Sequence, residues 1–294
     1  MLRYFCTIAL TALCTLILME TVLERPYAQT KKWVRASLKT DTSMAERTAL
    51  MNACEFPVLE TIPPGSAAII GHAYGRPGNP HGFVAANVES FIKDHASQLD
   101  DVIFSGDVLA EPTVEKWNRL ASLSDETGIT FHIAPGNHDV GHGDNAKRDI
   151  WNATQFGFVE GIMPPLDIAG FTVFIEDSVR EDWQMAPVVI NALQDAKTNT
   201  PILLVRHNIA IAEMSVVANS LVGLTQLLPN QSTLSERLPP NTTVVSGDSG
   251  AFPHLPRLAC SSQNDVQFVA NGIGETGYDV LLILSGGEIY QLAI

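Results

Sequence analysis

The stretch 132–144, "HIAPGNHDVGHGD", sets an amide, an imidazole and a carboxylate side by side at Asn137, His138 and Asp139, directly after an apolar run and a Pro-Gly break. By type these groups are metal ligands or proton carriers, and the glycine before them permits a backbone approach that a side chain would obstruct. A polar surface loop would use the same residues, so the rest of the chain has to decide. Four further apolar runs end in the same manner: "AIIG" leads to His72, "VIFSG" to Asp107, "LLVR" to His207 and "VVSG" to Asp248. One such tip is an ordinary turn. Together they describe a ligand crevice, because residues at the carboxyl ends of strands in an α/β sheet converge in space while lying far apart in sequence.

The elements that must carry these tips are legible as an alternation. Short apolar runs bounded by Gly or Pro exchange with longer amphipathic stretches: "SAAII" then 83–98, "DVIFS" then 112–123, "ITFHI" then 145–156. That pattern predicts strands and crossover helices. The runs "FTVFI", "PILLV", "TTVVS", "VQFVA" and "DVLLILSGGEIYQL" bring the strand candidates to about nine, too many for one small sheet. Two packed sheets with helices outside are therefore expected. Segment 211–238 reads as helical and then loop, and 261–266 as a polar turn.

With 294 residues, 46% of them hydrophobic, the chain can bury a large core, and 52–294 is expected to be one domain. Eighteen Lys and Arg stand against 32 Asp and Glu, a net charge of −14, which works against nucleic acid as a partner. An anionic substrate would then need a local cationic centre, and a bound metal is one way to supply it. At the N-terminus, Arg3 is followed by the uncharged run "YFCTIALTALCTLILM", so residues 1–24 read as a signal-anchor or signal peptide and 25–51 as a linker or stalk. Either leader places the domain outside the cytoplasm, anchored to the membrane or secreted. Cys54 and Cys260, the two cysteines beyond the leader, could pair or remain buried thiols, and no Cys/His spacing for zinc exists.

From about residue 65 onward the chain resembles the calcineurin-like metallophosphoesterases. "SGD" supplies Asp107, "GNHD" supplies Asn137, His138 and Asp139, and "LLVRH" supplies His207, matching the three middle motifs of that family. The outer two differ. "GHAYG" places His72 where the family has Asp and Tyr74 where it has His, and "SGDSG" places Asp248 and Gly250 where it has two histidines. The resemblance implies a four-layer αββα sandwich of two mixed β-sheets flanked by helices, with a divalent-metal site on the strand tips. It implies one metal held by Asp107, Asn137, His207 and Asp248. A second would share Asp107 and use His72, Tyr74 and the position of Gly250, which offers no side chain; His81 or His142 could substitute. Mixed N/O donors suit manganese, iron or zinc better than calcium, at one or two ions per chain.

By the same resemblance His138 is a proton donor or phosphate contact and Asp139 orients it. The function implied is hydrolysis of a phosphomonoester or phosphodiester, with a phosphorylated small molecule or glycan as substrate and specificity in loops such as 75–82 and 211–238. The rival is a non-catalytic binding module of the cell envelope on a degenerate phosphoesterase scaffold. A serine hydrolase, suggested by "SGDSGAF", conflicts with the α/β alternation.

Overall fold

In the computed structural model the first apolar run forms β1 (Ser66–Ile70), buried along its whole length. The structure describes residues 54–75, 82–141, 143, 145–158, 160–180, 185–196, 199–211, 231–251, 257–274 and 279–294. The expected leader and stalk, together with His81 and His142, lie outside the described residues. Among the described residues no helix is long and apolar enough to cross a membrane.

A strand buried on both faces must find two apolar partners, and β1 does. Ala68 and Ile70 pack in a core shared with helices, whereas Ala67 and Ile69 pack in a second core shared with another sheet. β1 pairs in parallel with β2 (Leu99–Phe104), which pairs in parallel with β3 (Thr130–Ile133); β10 (Val280–Ser285) and β11 (Glu288–Ala293) complete the other edge antiparallel, giving the order β11-β10-β1-β2-β3. The second sheet comprises β4 (Leu166–Ile168), β5 (Phe171–Ile175), β6 (Ile202–Arg206), β7 (Thr242–Ser246), β8 (Leu258–Gln263) and β9 (Val266–Asn271) in the order β4-β5-β6-β7-β9-β8. It is parallel from β5 through β9, with antiparallel edge pairs.

Between the sheets lies one continuous apolar layer, in which Ile69, Ile103 and Leu282 from the first sheet join Val173, Val205, Val245 and Val269 from the second. Helices α1 (Ala86–Asp94), α2 (Val114–Thr127) and α4 (Asn145–Asn152) bury Phe91, Trp117, Leu120 and Trp151 on the outer face of the first sheet. α5 (Pro187–Asp195) and α6 (Gln231–Arg237) cover the second sheet through Val189, Leu193 and Leu234. The Asn137–Val140 turn is a single helical turn, α3. The result is the four-layer αββα sandwich expected from the sequence.

Strand β4 and strand β8 were not expected, and the polar turn expected at 261–266 is corrected. β8 continues to Gln263, and only Asn264 and Asp265 turn the chain into β9, both with positive φ, 52° and 59°. Residues of that type tolerate the left-handed region and make a tight hairpin. Within segment 211–238, residue 211 and residues from 231 onward are described, and the chain is helix from Gln231 to Arg237.

Cys54 and Cys260 form a disulfide, with Cα atoms 5.0 Å apart, closing the segment before β1 onto β8. The buried-thiol alternative is thereby set aside. Replacing both by serine is expected to lower unfolding stability by about 2–5 kcal/mol, because the cross-link restricts the unfolded chain. Denaturant unfolding of the oxidised protein against the double variant checks this, and equal midpoints would show that the bridge adds nothing.

Candidate metal centre

Parallel strands deliver the polar tips to one end of the sandwich. β1 leads to His72, β2 to Asp107, β3 to Asn137, β6 to His207 and β7 to Asp248, which opens a 3₁₀ turn over Asp248–Ala251. His72 and Asp107 stand in the left-handed region at φ 52° and 53°, a conformation that costs a non-glycine residue roughly 1–3 kcal/mol. The tips are stitched by backbone bonds: His72 N–H donates to the Gly106 carbonyl at 2.9 Å, and Asp248 N–H donates to the His207 carbonyl at 3.1 Å.

The side chains converge on Asp107. Its Oδ2 lies 3.5 Å from His72 Nε2, and its Oδ1 lies 3.5 Å from His207 Nε2 while accepting the His138 backbone N–H at 3.0 Å. His207 Nε2 also lies 3.6 Å from Asp248 Oδ1 and 3.2 Å from Asn137 Oδ1. Donor atoms of His72, Asp107 and Asp248 all fall within 4.8 Å of one another. His72, Asp107 and His207 are buried, and Asp248, 16% exposed in its side chain, marks the open side.

Burial first of all pushes the His72 ring down to about 4, so it is neutral near pH 7 and its contact with Asp107 is not an ion pair. Both His72 ring nitrogens lack a hydrogen-bond partner among the described residues. Burial also opposes a charged His207, but Asp107, Asp248 and Asp139 together outweigh it and raise that ring. Burial likewise opposes ionisation of Asp107, yet the neighbouring imidazoles, His207 foremost, hold its carboxyl below the usual range. His207 Nδ1 faces the Ser105 carbonyl at 3.3 Å, the arrangement that leaves Nε2 to a metal.

This set fits a divalent cation. Donor atoms of His72, Asp107 and Asp248 gather in one cluster, with His207 Nε2 beside both carboxylates and the Asn137 amide oxygen beside His207, at separations too long for good hydrogen bonds in most pairs, and a buried imidazole with no other partner has a clear reason to be there. His72 offers a donor atom within 4.8 Å of donor atoms of both Asp107 and Asp248. Tyr74 lies beside this group. Its ring packs against His72 with centroids 4.4 Å apart and against His138 at 5.2 Å, and burial raises its phenol pKa, leaving it protonated.

His138 and Asp139 part company. The expected Asp139–His138 hydrogen bond is corrected: His138 Nδ1 lies 2.9 Å from the Ala110 carbonyl, whereas Asp139 accepts from the backbone N–H groups of Gly136 at 2.9 Å, Val108 at 3.0 Å and Leu109 at 3.0 Å. Adjacent residues on a helical turn point in different directions, so the carboxylate turns back to tie the β2 and β3 loops together. Burial lifts Asp139 to about 6, with the Asp107 charge adding to it and the three backbone donors opposing. The carbonyls of Ser105 and Ala110 that aim the two imidazoles carry no sequence signal.

Two glycines make room for this packing. A Cβ at Gly106, whose φ is 90°, would fall 2.3 Å from His207 Nδ1, and one at Gly136 would fall 2.2 Å from Asp107 Oδ1. Gly106→Ala is expected to destabilise the fold by more than about 1 kcal/mol and to weaken metal binding, because it displaces His207. Unfolding and metal content measured on that variant check it; unchanged metal content would mean that His207 is not a ligand.

No protein-family model matches the sequence, and no curated protein matches it. Among solved structures the chain is similar to a phosphopantetheinyl hydrolase from Mycobacterium tuberculosis, at 17% identity and TM-score 0.44, over 71% of this chain and 89% of that one. It is similar also to a 5'-nucleotidase precursor from Thermus thermophilus, at 14% identity and TM-score 0.42, over 78% of this chain and 54% of that one. The chain thus spans about half the length of the second protein.

Proposed function

We propose that the protein is a metal-dependent phosphoester hydrolase of the calcineurin-like type, acting outside the cytoplasm on a phosphorylated small molecule or glycan. The observation that carries the reading is the cluster of donor atoms of His72, Asp107 and Asp248, with His207 beside Asp107 and Asp248 and Asn137 beside His207, next to a histidine outside that group. Asp107, Asn137, His207 and Asp248 would hold a first manganese, iron or zinc ion, and His72 with Asp107 would contribute to a second, weaker site. Bound there, the metal would supply positive charge to the phosphoryl oxygens and acidify a water.

The chain's own residues do the rest. The Ala110 carbonyl fixes the His138 ring through Nδ1, which leaves Nε2 to give a proton to the leaving oxygen or to contact the phosphoryl group. Tyr74, protonated and packed against His138, limits the tilt of that ring. Asp139 keeps the Val108–Leu109 backbone and the Gly136 turn in register, so that Asp107 and Asn137 stay opposed. The Cys54–Cys260 disulfide supports a location outside the reducing cytoplasm. An N-terminal leader, retained or cleaved, would deliver the domain there.

The binding-module reading has one observation in its favour: Gly250 has no side chain where the family supplies a ligand. A phosphomonoester and phosphodiester panel with added manganese, iron or zinc separates the two. Turnover that chelation abolishes supports the hydrolase, and metal binding without turnover supports the module.

A further inference from the structure

Close in sequence to residues that contact the backbone at His138 and Asn208 lies a cationic pair that the reading above does not use. Asp177, just beyond β5 and buried, holds two arginines on one oxygen: Arg180 Nε at 3.0 Å, and Arg148 Nη1 in a shorter contact with the same Oδ2. The two guanidiniums come from different places, Arg148 from α4 and Arg180 from the loop after β5. Their side chains are 20% and 30% exposed, while the Asp177 side chain is 0% exposed. One carboxylate balances one of the two charges, so a net positive charge faces the solvent in a chain of net charge −14.

The clamp is tied to the centre on both sides. Lys147, next to Arg148, donates from Nζ to the His138 carbonyl at 3.3 Å. Ser178, next to Asp177, accepts the backbone N–H of Asn208, the residue after His207, at 3.1 Å. Among the described residues the remaining guanidinium donors, both Nη of Arg180 and the Nε and Nη2 of Arg148, have no partner. A single inter-element staple needs one arginine. Two on one buried carboxylate form a fixed frame of N–H donors, the geometry that suits a second oxyanion.

We infer that Arg148 and Arg180, held by Asp177, form a subsite for a second anionic group of the substrate, a phosphoryl or a carboxylate, beside the phosphoryl group at the metal centre. This rests on the hydrolase reading for the first group only. The substrate class is then a phosphoester carrying a second oxyanion a few bonds from the first, and a neutral phosphomonoester tail would leave the arginines idle.

Calorimetric titration of the full chain tests this with three probes: methylphosphonate with one oxyanion, methylenediphosphonate with two phosphonates, and phosphonoacetate with a phosphonate and a carboxylate. Each is titrated with manganese present and with metal removed by chelation. The wild-type chain is expected to bind a two-anion probe roughly 10- to 100-fold more tightly than methylphosphonate, the scale of charge-assisted hydrogen bonds. In Arg180→Gln and Arg148→Gln that ratio should fall about tenfold, with Arg180→Lys between, since it keeps the charge and loses the fork. Circular dichroism confirms the fold, and the more exposed Arg180 carries the test if the Arg148 variant does not fold. Whichever two-anion probe gains more from the arginines names the second group. A ratio equal in wild type and Arg180→Gln overturns the subsite. Turnover in that case keeps the hydrolase, whereas a wild-type preference for a two-anion probe that Arg180→Gln lowers, without turnover on any phosphoester, keeps the subsite and overturns the hydrolase.

Discussion

His138→Ala is expected to lower phosphoester hydrolysis by roughly 10²–10⁴-fold while the protein keeps its metal, the scale for losing a positioned proton donor. The structure gives the reason for this separation. The donor cluster comprises His72, Asp107 and Asp248 with His207 beside it, whereas the His138 side chain is turned toward the Ala110 carbonyl and the hydrogen bond it gives Asp107 comes from its backbone N–H, which alanine retains. Metal analysis and turnover on the same preparation check it. Metal lost along with activity would make His138 a ligand.

The second large effect is expected from His207→Ala and Asp248→Ala. Each removes a donor from the cluster around Asp107, and each should weaken metal binding by more than roughly 100-fold, beyond the scale known for losing a residue that merely supports a ligand. For His207 the loss is compounded, since its ring fills the space between Ser105, Asn137 and Asp107. Tyr74→Ala should have a smaller effect on the metal, because Tyr74 meets the site through ring contacts with His72 and His138. Calorimetric titration with manganese ranks the three variants. A larger loss for Tyr74→Ala than for His207→Ala would place the phenol oxygen in the coordination shell and displace the present assignment.

The strand tips were legible because they rest on a strong local contrast, an apolar run cut off by a polar residue that usually has glycine before it. Five strands carry such a tip, and apolar runs bounded by Gly or Pro bring the expected number to about nine. β4 escaped because three residues, Leu166–Ile168, are too short for any period, and β8 because the polar half of "LACSSQ", on an edge strand, imitates a turn. The helix Pro187–Asp195 has its apolar face at Val189, Ile190 and Leu193, a stripe too short to stand out. In the centre itself, residue identity was readable and pairing was not. Asp139 follows His138 in sequence, yet its carboxylate closes on backbone groups from two other positions in the chain. The Arg148–Asp177–Arg180 clamp joins residues up to 32 positions apart with no motif between them, and only the packing of α4 against the β5 end brings them together.

Gly250 leaves the centre short of one donor relative to the family it resembles, so a first metal should bind tightly and a second only with substrate or water completing its shell. His72→Asp, Tyr74→His and Gly250→His together would restore the family's side chains and should tighten that second site. The most direct measurement follows bound manganese and release of the leaving alcohol together as the chelator-stripped full chain is titrated with metal in the presence of a phosphomonoester and phosphodiester panel. The expected result is no release from the stripped protein, about one equivalent bound tightly, and release that keeps rising as further metal is added. Metal bound at that stoichiometry with no alcohol released from any ester would contradict the hydrolase reading and leave a binding module.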